Sequence, residues 1–262
     1  MKHISITADN SHTYEQALKE FESNFSYPLG EDRFQISHGE SYFNFFQRMG
    51  DWQMEALEID GKICATGVGV YRENFNENCW YLADLKVLQS FQGRGLPVLM
   101  MKKSYLSFIK KCNKFYAISM NDKNRKNRIG RILSAIEGID FHQEEELLFY
   151  TFNHRQYCQL KDNIEGVLGE ITLVSLSGVK DIILKSTGAP MPLVHIHHGN
   201  SYVEEKVKCN ASEGHQYMIC GTSNGMVSKI CKTQSILPMA SASVYQSCYP
   251  EIELDSLLTC DI

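Results

Sequence analysis

The chain has 262 residues, 43% of them hydrophobic, with a formal net charge of −5 and a pI near 6.0. That is enough apolar material for one large or two small globular cores, and the acidic balance argues against a general nucleic-acid binder. The opening MKHISITADN lacks the apolar centre of a secretory signal, and no apolar run is long enough to span a bilayer, so no membrane partner and a cytoplasmic setting are expected.

Nine scattered cysteines without Cys-x-x-Cys spacing point to reduced thiols rather than a disulfide framework. An effector exported without a readable signal is the alternative setting. In chain order, apolar spacing predicts a helix over Thr13–Phe25 and a second in ESYFNFFQRMG after Gly39. The alternating runs Trp52–Ile59 and Lys62–Tyr71 flank Asp60-Gly61, a pair suited to the two positive φ angles of a type I′ turn, and read as a hairpin. Asn74–Asn78 reads as a polar turn into the strand that begins at Trp80. A helix from about Pro97 to Cys112, a strand Lys114–Met120, a short helix through Ile132 and Leu133 and a strand Glu146–Phe152 follow. Further on, Tyr217–Ser223, Asn224-Gly225 and Met226–Cys231 read as a second hairpin, with Ala240–Gln246 as the next strand.

Between the Trp80 strand and the long helix lies Gln92-Gly93-Arg94-Gly95-Leu96-Pro97-Val98. The glycines allow a tight turn and close backbone approach to a ligand. The helix behind them adds unpaired amides and the positive end of its dipole. Pro97 suits a first helical turn but removes one possible donor. Strand, glycine turn and helix in this order make a phosphate site.

This stretch resembles the acetyl-CoA signature of the GNAT superfamily of N-acetyltransferases, Gln/Arg-x-x-Gly-x-Gly/Ala after the fourth strand. Gln92 and Gly95 match its first and fourth positions, and Pro97 departs at the last. A second GNAT pattern, Asn-x-x-Ala-x-x-Leu-Tyr followed by Gly, is similar to the run from Asn127 to Gly138. Asn127 and Leu133 match, Gly130 is a small stand-in, and Ser134 takes the tyrosine position. The resemblance covers residues 1–155. It implies an α+β fold with a mixed, largely antiparallel sheet flanked by helices, acetyl-CoA as cosubstrate and an amine as acceptor. Residues 156–262 form a smaller α+β module, read either as a degenerate, partial GNAT-like unit or as an unrelated appendage.

Carried over by position, the backbones of Leu85 and Val87 grip the pantetheine arm and the thioester carbonyl, which makes Leu85 the oxyanion donor. Gln92, Gly93, Arg94, Gly95, Leu96, Val98 and Asn127 complete the implied cofactor site. Tyr81 stands where histone-acetylating relatives place a glutamate base, and a phenol of pKa about 10 is a poor base. Ser134 is a poor proton donor to a thiolate. Asp84 and Glu55 are nearby carboxylates read as structural.

Around the loop, Lys102, Lys103, Lys110, Lys111, Lys114, Lys123, Arg125, Lys126, Arg128 and Arg131 are opposed only by Asp122. They read either as a solvated face or as groups that attract the CoA phosphates, with Arg94 the best single candidate. His195 and His197 share a strand face, but no acidic or cysteine partner stands at ligand spacing, and packing histidines are favoured over a metal site. The function expected is acetyl-CoA-dependent N-acetyl transfer. The rivals are a catalytically silent acetyl-CoA-binding sensor and a structural interaction protein.

Overall fold

A computed structural model of the chain describes residues 1–73, 78–122, 127–199, 203–247 and 254–262. Its first part contains β1 (Lys2–Ile6), α1 (Glu15–Glu22), β2 (Tyr27–Leu29), β3 (Asp32–Ser37), α2 (Asn44–Gln47), β4 (Asp51–Ile59), β5 (Lys62–Arg72) and β6 (Cys79–Val87). There follow α3 (Leu96–Lys111), β7 (Phe115–Met120), α4 (Ile129–Leu133), β8 (Phe141–Asn153) and α5 (His154–Leu168). The last part holds β9 (Ile171–Ser175), β10 (Asp181–Leu184), β11 (Leu193–His198), β12 (Gln216–Thr222), α6 (Met226–Thr233) and β13 (Ala240–Ser247).

Ten strands make one sheet in the order β1-β4-β5-β6-β7-β13-β8-β12-β11-β9, and β10-β3-β2 make a small second sheet. The β4–β5 hairpin turns at Asp60 and Gly61, with φ 50° and 76°, as a type I′ turn requires. Helix α3 packs Leu96 and Met100 on Leu57, Cys64 and Ala65. Farther along, Phe108 lies so close to Gly69 that a Cβ there would stand 2.9 Å from the ring. Aromatic residues Tyr42, Phe43, Phe45 and Phe46 pack into the largest core cluster with Trp52 and Met54 of β4.

The sheet is parallel at two places, β6 beside β7 and β11 beside β12. From β7 the chain passes through α4 to β8, and from β12 through α6 to β13. Each of these returning strands then crosses over: β13 pairs with β7, β8 pairs with β12, and the two pair with each other at the centre. The two parts of the chain thus exchange strands within a continuous sheet.

Three differences from the sequence expectation have local causes. Met226–Cys231 is helix rather than strand, because Val227 and Cys231 sit four apart and both are buried, with Val227 against Gly221. A short apolar run is compatible with either period. Strand β8 starts at Phe141, before the expected Glu146, where the polar residues His142–Glu146 pair with β13. β1 and the β2–β3 hairpin were not anticipated, since their runs are short and mixed in polarity. Of the expected turn Asn74–Asn78, residues 74–77 lie outside the described residues.

Candidate active site

Parallel pairing of β6 and β7 covers Trp80↔Phe115, Tyr81↔Tyr116 and Leu82↔Ala117. Yet β6 continues to Val87 and β7 to Met120, so the strands part beyond Leu82. The cause lies in β6. Its pairing with β5 jumps from Val68↔Ala83 to Thr66↔Lys86, which sets Asp84 and Leu85 opposite the single residue Gly67. Such a bulge bends a strand and re-aims its side chains, and Asp84 takes φ 56° to make it. Leu85 and Val87 turn their side chains into the cluster under α3.

Beyond β6, a short 3-10 turn, Gln89–Phe91, leads to Gly93 and Gly95 at φ 78° and 69°. Gly95 caps α3, and the bond from Leu99 N to its carbonyl, 3.0 Å, opens the helix. The amides of Leu96 and Val98 therefore have no helical partner. An added Cβ at either glycine would meet no atom within 4 Å, so the loop bounds an open cradle. Gln92 Nε2 donates to the Val87 carbonyl at 3.3 Å, and the Arg94 guanidinium donates to Ser90 O at 3.1 Å while lying 4.9 Å over the Phe91 ring. Open space, amides, a helix N-terminus and a flanking cation suit a diphosphate.

A cavity of about 340 Å³ follows the opening. Met100 and Ile132 line it from the α3 and α4 face, Tyr27 and Phe45 from the opposite face, with Asp84–Lys86 and Ile118–Met120 between. It passes through the sheet where β6 and β7 part.

On the far face, Asp84 and Lys86 of β6 meet Glu22 of α1. Lys86 Nζ pairs with both Asp84 and Glu22, and the Tyr42 hydroxyl donates to Asp84. Tyr27 donates to Glu22 at 3.2 Å. Burial opposes every charge here. Against it, Lys86 and the hydrogen bonds from Lys86 and Tyr42 hold the Asp84 carboxyl below its usual range. For Lys86, the surrounding Asp84, Tyr42, Tyr27 and Glu22 outweigh burial and hold the ammonium well above the usual lysine range. Burial dominates at Glu22 and raises it. Asp84 and Lys86 therefore form a closed ion pair.

A tandem GNAT protein from the clavulanic acid biosynthesis pathway, solved without acetyl-CoA, superposes at a TM-score of 0.54, with 8% identity over 95% of this chain and 99% of that one. This chain has the GNAT fold. The ribosomal-protein-S18-alanine N-acetyltransferase from Escherichia coli also matches, at a TM-score of 0.36 and 12% identity, over 55% of this chain and 81% of that one. No family model and no curated protein matches the sequence.

Within this GNAT fold, the opening and loop bring Leu85, Val87, Gln92, Gly93, Arg94, Gly95, Leu96 and Val98 together. Other expected residues point elsewhere. Asn127 accepts from Ile129 N at 3.0 Å and donates to Asn121 at 3.1 Å, anchoring the start of α4. Ser134 is exposed and donates to Arg131 O at 3.2 Å. Tyr81 lines the cavity but stacks on Tyr116 at 4.7 Å, and burial pushes its phenol above the usual range, so it keeps its proton. Glu55 is buried and pairs with His3 at 2.7 Å. Lys111 pairs with Asp51 at 2.7 Å at the far end of α3, and Lys102 with Glu137 at 2.9 Å. Lys123, Arg125 and Lys126 lie outside the described residues. His195 Nδ1 meets Thr259 Oγ1 at 2.9 Å in the core.

Sequence reasoning missed Glu22, His38, Tyr42 and Lys86. One signal was readable: Asp84 and Lys86 stand two apart on one face of an otherwise apolar strand, a pairing that marks a buried polar site.

Proposed function

We propose that this chain binds acetyl-CoA along the β6–β7 opening and transfers its acetyl group to an amine. The observation that carries this reading is the combination of the Gly93–Gly95 loop at the start of α3, the parting of β6 and β7 beyond Leu82, and a cavity lined by Leu85 and Met100. When bound, acetyl-CoA supplies a thioester carbonyl at which a neutral amine nitrogen forms a C–N bond while the C–S bond breaks, the nitrogen losing one proton and the sulfur gaining one to leave as a thiol. In this arrangement the Gly93–Val98 backbone and Arg94 hold the diphosphate, and the backbone at Leu85 and Val87 holds the pantetheine arm and polarises the carbonyl. Asp84 is already committed to Lys86 and Tyr42, so it orders the bulge rather than taking a proton. Residues 1–155 carry this site, and residues 156–262 act as a second unit that completes the sheet and the acceptor side of the cavity, to which His195, Met218 and Thr259 contribute.

Thiol release from acetyl-CoA in the presence of a panel of amines, with the acetylated product identified by mass, tests the reading. Amine-dependent thiol release is expected. Tight acetyl-CoA binding with no release for any amine would favour the silent sensor instead.

A further inference from the structure

His38 is buried, 5% exposed, and lines the cavity on the face opposite α3. Neither of its ring nitrogens has a hydrogen-bond partner among the described residues. Its ring lies 4.2 Å from that of Tyr42, whose hydroxyl donates to Asp84. One tyrosine thus separates His38 from the bulge at Asp84–Leu85. A buried polar group without a partner costs roughly 1–3 kcal/mol, and a ligand that hydrogen-bonds it recovers that cost. Every other polar group of the far face named above is already engaged.

The rest of this chamber restricts what such a ligand can be. Apolar side chains, among them Phe34, Phe45, Leu176, Ile182 and Met218, form most of its wall. Two cations, Lys86 and Lys180, line it, the first held by Asp84 and the second donating to Ile262 O, and the other lining side-chain carboxylate, Glu55, is raised by burial and engaged with His3. Polycations have no free carboxylate to meet there.

From this juxtaposition, and resting on the acetyl-transfer reading above, we infer that the acceptor is a small monoamine with an apolar or aromatic body, and that His38 accepts a hydrogen bond from its nitrogen and so positions it. The apolar walls and the Lys86 and Lys180 ammonium groups disfavour a charged amine there and favour the neutral form. Burial, joined by Lys86, Lys180 and Lys19, outweighs Asp84 at His38, so the imidazole is neutral and offers a lone pair as a hydrogen-bond acceptor. As the N–C bond forms the nitrogen turns acidic. One of its protons passes to water, and the departing sulfur takes up a proton from solvent to leave as the thiol.

The test uses the full chain, acetyl-CoA, and two sets of acceptors: phenethylamine, tyramine and hexylamine against spermidine and kanamycin. The monoamines are expected to be acetylated at least about tenfold more efficiently in kcat/KM, as befits one charge-assisted contact denied to the polycations. His38→Phe should raise the KM for the monoamine about tenfold, the scale of one lost hydrogen bond, with acetyl-CoA affinity unchanged. His38→Gln, which still accepts a hydrogen bond, should retain the KM for the monoamine that His38→Phe loses. Preference for the polycations, or a KM for the monoamine within about twofold of wild type in His38→Phe, would overturn the inference. So would acetyl-CoA binding with no monoamine turnover. Absence of acetyl-CoA binding would instead strike at the proposed function itself.

Discussion

The Tyr42 hydroxyl donates to Asp84 Oδ2 across 42 positions of sequence. This bond ties the segment before α2 to the bulge in β6 and so couples the wall of the chamber to the place where the sheet opens. Asp84 also holds Lys86 in a setting where both are buried.

Removing that carboxylate should therefore be costly. Asp84→Asn leaves the Lys86 ammonium buried with Glu22 alone, and breaking a buried pair costs about 3 kcal/mol or more. Adding Lys86→Met should restore part of the loss, because the orphaned charge is then gone. Urea denaturation of the single and double variants checks this, and additive losses would mean that the two residues do not act as a pair.

Acid should destabilise the protein through its buried histidines. Burial lowers both His38 and His195 to about 3, whereas an unfolded histidine titrates near about 6.5. Below that value the unfolded chain binds protons that the folded chain refuses, so stability falls as pH drops from about 6.5 toward 3. At pH 5 the loss is roughly 2 kcal/mol per histidine. His195→Gln should flatten this part of the stability profile by about one proton's slope. An unchanged slope would remove His195 from the account.

Arg94 and Lys111 sit at opposite ends of α3, whose 16 residues span about 24 Å. Arg94→Ala should raise the dissociation constant for CoA about two- to fivefold, the scale of an exposed ion pair, and reduce its dependence on salt. Lys111→Ala should leave CoA binding unchanged. Equal effects of the two would assign the basic residues a diffuse role.

Strand β8 finds its sheet partners only in β12 and β13 among the described residues. A chain ending at Arg155 would keep β8 and lose both neighbours, exposing Leu147, Phe149 and Phe152, all buried in the whole protein. Such an unpaired apolar strand promotes aggregation. Light scattering of residues 1–155 should show it, and a stable, monomeric fragment with full activity would contradict the exchange of strands as a structural necessity.

Much of the first half was legible because its signals are local. Asp60-Gly61 specifies its own turn, and Gly93 and Gly95 sit where positive φ is needed, with the strand and helix around them readable by period. What stayed hidden depends on distant pairing. Nothing local to Met226–Cys231 separates a short helix from a short strand, and nothing in Ala240–Ser247 announces that it pairs with β7. His38 became a candidate only when the fold left its nitrogens without partners beside the cavity.

The most direct test is calorimetric titration of acetyl-CoA into the whole chain and into Gly95→Val. Gly95 takes φ 69°, so valine strains the turn, by about 1–3 kcal/mol, and adds bulk to the loop proposed to hold phosphate. The account predicts saturable binding at one site in the wild type and its loss in the variant, with the fold retained by circular dichroism. No binding to the wild type, or equal affinity in both proteins, would contradict it.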